Sequence, residues 1–202
     1  MKNIFALVAL GIALSSTAFS AGSIKFGLQA NVASLNAAEP LNEAYGFGYG
    51  GGAHFDITFV LFSFRLTGDY ISFSPDEQKY KTIVGRLIPG FSASGLSLEG
   101  GRISVLSFAA NVKLGLPLPF VSPYVTAGGG IANLSASDLT VKYQGVVFAA
   151  PAPKSETKSS VNVGIGVDLN VIVTLYIEAK YTVIFTEGES SSYVPVTIGI
   201  TF

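Results

Sequence analysis

Apolar and polar residues alternate with a period of two in eight segments that together span most of the chain. The first, 23–35, sets Ile24, Phe26, Leu28, Ala30 and Val32 against Lys25, Gln29 and Asn31. The second, 44–59, sets Tyr45, Phe47, Tyr49, Ala53, Phe55 and Ile57 against Gly46, Gly48, Gly50, Gly52, His54 and Asp56. The third, 62–74, opposes Phe62, Phe64, Leu66 and Tyr70 to Arg65, Thr67 and Asp69, and the fourth, 102–116, opposes Leu106, Phe108, Val112 and Leu114 to Ser107, Asn111 and Lys113. In the fifth, 123–135, Val125, Ala127, Gly129 and Ile131 form the apolar face. The sixth, 159–171, alternates Val161 to Leu169 with Asn162, Gly164, Gly166 and Asp168. The seventh, 175–186, places Ile177, Ala179, Tyr181 and Val183 opposite Tyr176, Glu178, Lys180 and Thr182. The eighth, 193–202, places Val194, Val196, Ile198, Ile200 and Phe202 opposite Thr197, Gly199 and Thr201. Because successive side chains of a strand point to opposite faces, each segment predicts a strand with one apolar and one polar side.

The connections alternate between short and long. The two longest, 75–101 and 136–158, follow the third and fifth segments, both odd-numbered, which places them at the same end, and both hold charged and Pro/Gly/Ser-rich stretches without the length of a further domain. Phe55-Asp56-Ile57 followed by Leu66, Gly68 and Tyr70 is echoed by Val167-Asp168-Leu169 followed by Ile177, Ala179 and Tyr181. A two-residue turn at Val60-Leu61 would place Asp56 opposite Arg65, although tight hairpins favour Asn, Asp or Gly at such positions.

Composition decides what such strands can build. Hydrophobic residues make up 49% of the 202 and charged residues 12%, with a formal charge of −1, about half the charge share of an ordinary soluble domain. No basic stripe is available to neutralise phosphates, which excludes a generic nucleic-acid binder. With no Cys there is no disulfide or thiol chemistry, and a single His leaves little for metal sites. Residues 1–20 carry the parts of a cleaved secretory signal peptide: basic Lys2, an apolar run from Ile4 to Leu14, and Ala18-Phe19-Ser20 before the expected cut. The expected mature domain is 21–202. After residue 20 no run of 18 apolar residues occurs, so no helix spans a bilayer. An exported, very apolar chain without such a helix satisfies its backbone in lipid by closing a β-barrel, the architecture of bacterial outer membranes. The predicted fold is therefore all-β: an eight-stranded antiparallel up-and-down transmembrane barrel.

Alternation alone does not say which face is inside, since a soluble lipocalin-like barrel hides its apolar face. The charges favour lipid outside. Within the strands the polar face carries Lys25, Arg65, Lys113 and Lys180 against Asp56, Asp69, Asp168 and Glu178. This neutral set suits a narrow lumen in which long side chains pair across the axis and glycines make room. Aromatic residues expected at the membrane boundaries are Phe59, Phe62, Tyr70, Phe120, Phe185 and Tyr193.

Gly48-Tyr49-Gly50-Gly51-Gly52 before Phe55-Asp56-Ile57, the run from Pro123 through Gly128-Gly129-Gly130 to Ala132, and the ending Val196-Thr197-Ile198-Gly199-Ile200-Thr201-Phe202 resemble the eight-stranded outer-membrane barrel family that includes OmpX-type proteins and the OmpA transmembrane domain. The resemblance implies an outer-membrane location, contact with outer-membrane lipid, and a final strand ending in Phe202 that is read by the barrel-assembly machinery.

Little in the chain suggests catalysis. His54 shares a strand face with Asp56, but a lumen position keeps it from lipid head groups. The four carboxylates read as partners of the inward cations, and Gly48–Gly52 lacks the Lys-Ser/Thr of a phosphate loop. Neither a cofactor nor a metal is expected. The stretches from Ile83-Val84 to Phe91 and Val146-Val147-Phe148 are unusually apolar for outer loops; they are expected to cap the mouth, lie on the membrane, grip a surface partner or extend the strands. The reading is a monomeric, non-enzymatic barrel with a structural or surface-recognition role. The alternatives are a narrow channel for small apolar solutes and a lipid-modifying enzyme.

Overall fold

The computed structural model describes residues 23–36, 41–59, 62–87, 95–116, 118–186 and 190–202. The expected leader with its cut after Ser20, the turn at 60–61, and Phe91 lie outside these residues. The elements in chain order are β1 (Ser23–Asn36), α1 (Leu41–Ala44), β2 (Gly48–Thr58), β3 (Phe62–Phe73), α2 (Glu77–Leu87), β4 (Leu96–Gly100), β5 (Ile103–Gly115), β6 (Val121–Ala136), β7 (Leu139–Tyr143), β8 (Val146–Ala150), β9 (Glu156–Asn170), β10 (Thr174–Ile184) and β11 (Ser191–Thr201). Eight of the strands close a barrel in the order β1-β2-β3-β5-β6-β9-β10-β11, and β11 pairs back onto β1. Every pair is antiparallel. Closure leaves no unpaired strand edge in the barrel wall, which is the condition for crossing hydrocarbon.

The eight strands coincide with the eight alternating segments. Cross-strand partners followed once around the wall from Lys25 run through Asp56, Arg65, Asn111, Gly128, Asn162, Thr182 and Tyr193 and return to β1 at Leu35, ten residues further along. This stagger tilts the strands, as barrel closure requires. The apolar face points outward: Ile165 is 66% exposed and Ile198 61%, whereas Arg65 is 2% and Asp56 4% exposed. Such an inversion is unfavourable in water and favourable in lipid.

Near the long loops the pattern changes phase. On β3 the inward positions Arg65, Thr67 and Asp69 give way to Ile71 and Phe73, while outward Tyr70 is followed by Ser72. On β5 the inward residues at this end are Ile103 and Val105, and Ser104 lies on the other face. A strand that has left the lipid meets water outside, so the apolar face turns inward. The boundary is marked by Tyr70, whose hydroxyl lies 2.9 Å from Ser104 Oγ.

Three expectations are corrected. The second segment is shorter than 44–59, because 41–44 forms the single turn of α1 and Tyr45 bridges to Pro75 instead of facing lipid. Tyr193 is not in the boundary ring: it is 4% exposed and packs with Ala33, Ile71, Phe73, Val105, Ala132 and Ile184 in an apolar plug. The lumen is thus filled with charge only over part of its length. Finally, the stretch around Ile83-Val84 is helical. Asp76 caps α2 by accepting from the amides of Gln78 and Lys79, and Ile83 is buried where α2 meets α1 and β4.

β4 and β7 continue β5 and β6 without a change of register, since Gly100 faces Leu139 and Ile103 faces Ala136. The junction bends at Gly100 and Gly101, whose φ angles of 79° and 67° suit glycine. A Gln144-Gly145 turn with both φ positive folds β8 back onto β7. Two barrel strands are therefore carried beyond the wall as β4 and β7, and β8 joins them to complete a small sheet in the order β4-β7-β8.

Candidate functional site

The lumen holds most of the polar chemistry. Across the β2–β3 hairpin, Arg65 donates from Nε to Asp56 Oδ1 at 2.8 Å and from Nη2 to Oδ2 at 2.7 Å. Its Nη1 lies 3.9 Å from Glu178 Oε2, and Lys180 Nζ lies 2.9 Å from Glu178 Oε1. The guanidinium sits 4.7 Å from the Tyr176 ring centre. A second pair is separate: Lys113 Nζ donates to both oxygens of Asp168 at 2.8 and 2.6 Å and lies 3.7 Å from the Tyr124 ring centre. Six of the eight lumen charges are thus brought together in two groups.

The other two are not. Lys25 lies opposite Asp56 in register, but it is half-buried and makes no ion pair among the described residues, while Arg65 bonds both Asp56 oxygens. Asp69 takes no cation among those residues either. Its Oδ1 accepts from the side-chain amides of Gln29 and Asn31. Gln29 Oε1 in turn accepts from Tyr176 Oη and, at 3.0 Å, from His54 Nδ1, which therefore carries the ring proton. His54 Nε2 lies 2.9 Å from Thr201 Oγ1. Amides rather than cations satisfy this carboxylate.

Three lumen rings each lie on a glycine directly across a strand pair: His54 on Gly27, Tyr124 on Gly166 and Tyr176 on Gly199. A Cβ at those glycines would meet the ring at 2.2, 2.3 and 2.4 Å respectively. Gly52 likewise gives room to Asp69 and Gly48 to Phe73. Alternation placed Gln29, Asn31, Tyr124 and Tyr176 on the inward faces, but nothing in it distinguished them from other wall residues. Their signal is the glycine or carboxylate opposite, which becomes visible only once the register is known.

No described group of three or more His, Asp or Glu residues is arranged to hold a metal ion. His54 is 2% exposed and is sealed among Gln29, Tyr176 and Thr201, which offers a lipid or solute no approach.

The family profile of the outer membrane protein beta-barrel domain matches residues 4–201. The chain belongs to this family. Like its fellow members, this outer-membrane barrel resides in the bacterial outer membrane. Among solved structures it is similar to Neisserial surface protein A, with 14% identity over 90% of this chain and 98% of that one, at a TM-score of 0.56. It is also similar to the N-terminal β-barrel domain of Pseudomonas aeruginosa OprF, with 14% identity over 90% and 99% and a TM-score of 0.50. At that identity the likeness is one of fold. No curated protein sequence matches.

The barrel's loop end presents two further features. One is β8, whose five residues Val146–Ala150 are all exposed and which, among the described residues, pairs only with β7. The other is a pocket at the mouth, above the plug. The sheet that carries β8 is stiffened by a Lys142–Glu99 ion pair and by Asp138, whose carboxylate accepts from the Ala152 amide at 2.7 Å.

Proposed function

We propose that the protein is a non-enzymatic surface-recognition barrel that offers the free edge of β8 to an extended segment of a partner polypeptide. The observation that carries this reading is the edge itself. Exposed edges usually carry a charge, a proline or a bulge that discourages pairing. Val146-Val147-Phe148-Ala149-Ala150 carries none of these and has no strand on its outer side among the described residues. Free backbone donors and acceptors select an extended chain, and side chains at alternate positions supply the preference. A continuous register with the barrel keeps the edge at a fixed distance from the membrane. The sealed surroundings of His54 argue against the lipid-modifying enzyme, and a lumen filled by ion pairs and an apolar plug argues against the channel.

Phe202 supports the expected encounter with the assembly machinery. It is exposed on the outward face, and its backbone exchanges two hydrogen bonds with Phe26 at the end of the closing strand pair.

A peptide copying residues 144–151 is a suitable probe of the edge. With the protein in nanodiscs, it is expected to slow amide exchange at alternate β8 residues, and Val147→Pro or Phe148→Pro should abolish the effect. Unchanged β8 exchange at saturating peptide, or protection that survives both prolines, would contradict the reading.

A further inference from the structure

Above the plug, the inward faces of the strands enclose a pocket of about 370 Å³. Its walls include Leu35, Ile103, Val105, Leu134, Ile184 and Tyr193, from five different strands. Volume and lining fall in the range of small-ligand sites, which are mostly apolar with a few polar groups at one side. These are inward positions past the phase change, so the pocket belongs to the barrel's mouth rather than to its lipid-facing wall. The charged groups of the lining, Lys154 and Glu156, are exposed at the rim. Of the two charged side chains there, Glu156 is held by Lys158 at 3.1 Å, whereas Lys154 has no carboxylate partner among the described residues. The site is therefore apolar within and positive at its edge.

We propose that this pocket binds a single alkyl chain bearing an anionic head, a medium-chain carboxylate dissolved in the surrounding water, with the head resting beside Lys154. The apolar walls leave room for one alkyl chain of medium length, with the plug as the floor. Burying those carbons against Leu134, Ile184 and Tyr193 supplies the affinity, and Lys154 supplies the preference for an anion. The plug beneath stops the chain, so this is a binding site and not an entrance to a pore. The inference does not depend on β8 pairing with a peptide.

Decanoate and, as the cationic counterpart, decyltrimethylammonium test it on the protein in nanodiscs with labelled Ile, Leu and Val methyl groups. Decanoate is expected to shift the methyl resonances of Ile103, Val105, Leu134 and Ile184 saturably. Lys154→Gln, a change at an exposed residue, should weaken decanoate by about two- to five-fold, the scale of an exposed charge pair, and should strengthen decyltrimethylammonium. Ile184→Trp should remove the response by filling the pocket, while Val147→Pro on β8 should leave it intact. Shifts confined to lipid-facing Ile165 and Ile198 would mean uptake into the bilayer only and would overturn the proposal. Decanoate affinity unchanged by Lys154→Gln would overturn it as well.

Discussion

Arg65 holds Asp56 through two parallel hydrogen bonds, at 2.8 and 2.7 Å, across the β2–β3 hairpin and inside the barrel. The planar guanidinium matches both carboxylate oxygens at once, and the same cation reaches Glu178 and the face of Tyr176. One side chain thus ties three strands together: β2, β3 and β10.

The two partners should not be equivalent. Breaking a buried pair typically costs about 3–5 kcal/mol because a charge is left uncompensated. Arg65→Ala strands both Asp56 and Glu178 and removes the contact with Tyr176, so it should destabilise more than Asp56→Ala, which leaves Arg65 beside Glu178. Denaturant unfolding of the two single variants and the double variant in micelles measures this. A double variant close to Arg65→Ala alone is expected, and strictly additive losses would show that the pair is not coupled.

The rings on glycines give a second test. Gly199→Ala and Gly166→Ala should push Tyr176 and Tyr124 from their places, each costing about 1–3 kcal/mol as overpacking does. Gly46, which has nothing within 4 Å of a built Cβ, should accept alanine with little change. Equal unfolding midpoints for all three variants would remove the close-approach explanation.

Deleting Phe202 should affect assembly more than stability. The truncation removes two backbone hydrogen bonds to Phe26 at the end of the seam, on the order of 1–2 kcal/mol in all. The folded amount in the outer membrane is expected to fall several-fold while refolding of the purified chain into detergent survives. Normal assembly in cells would contradict the proposed signal.

Much of this molecule is legible in its sequence because lipid enforces a strict period of two. The eight strands, their facing and the Asp56–Arg65 pairing follow from alternation and one turn length. The same rule hid the plug. Ile71, Phe73, Val105 and Ile184 occupy the inward phase, where a lumen reading expects polar groups, because the strands there have already left the lipid. The helix α2 was obscured by its placement in a loop rich in Pro and Ser, although Asp76, Glu77 and Lys81 carry a cap and an i,i+4 pair. The projecting hairpin turns on Gln144-Gly145, a weaker signal than Asn-Gly. The network around Gln29 depends on partners far apart in sequence, Asp69, His54 and Tyr176, that only the closed register brings together.

A closed lumen is the claim on which the account turns, and current across a planar bilayer tests it most directly. The path is blocked twice, by the Asp56–Arg65–Glu178–Lys180 group and by the plug of Ile71, Phe73, Ile184 and Tyr193, and separating buried charges to let an ion through is costly. Truncating one layer, as in Phe73→Ala, should therefore leave the other in place and the current unchanged. Pure wild-type protein is predicted to insert without stable unitary steps. Uniform, long-lived steps from the wild-type protein would contradict the filled lumen.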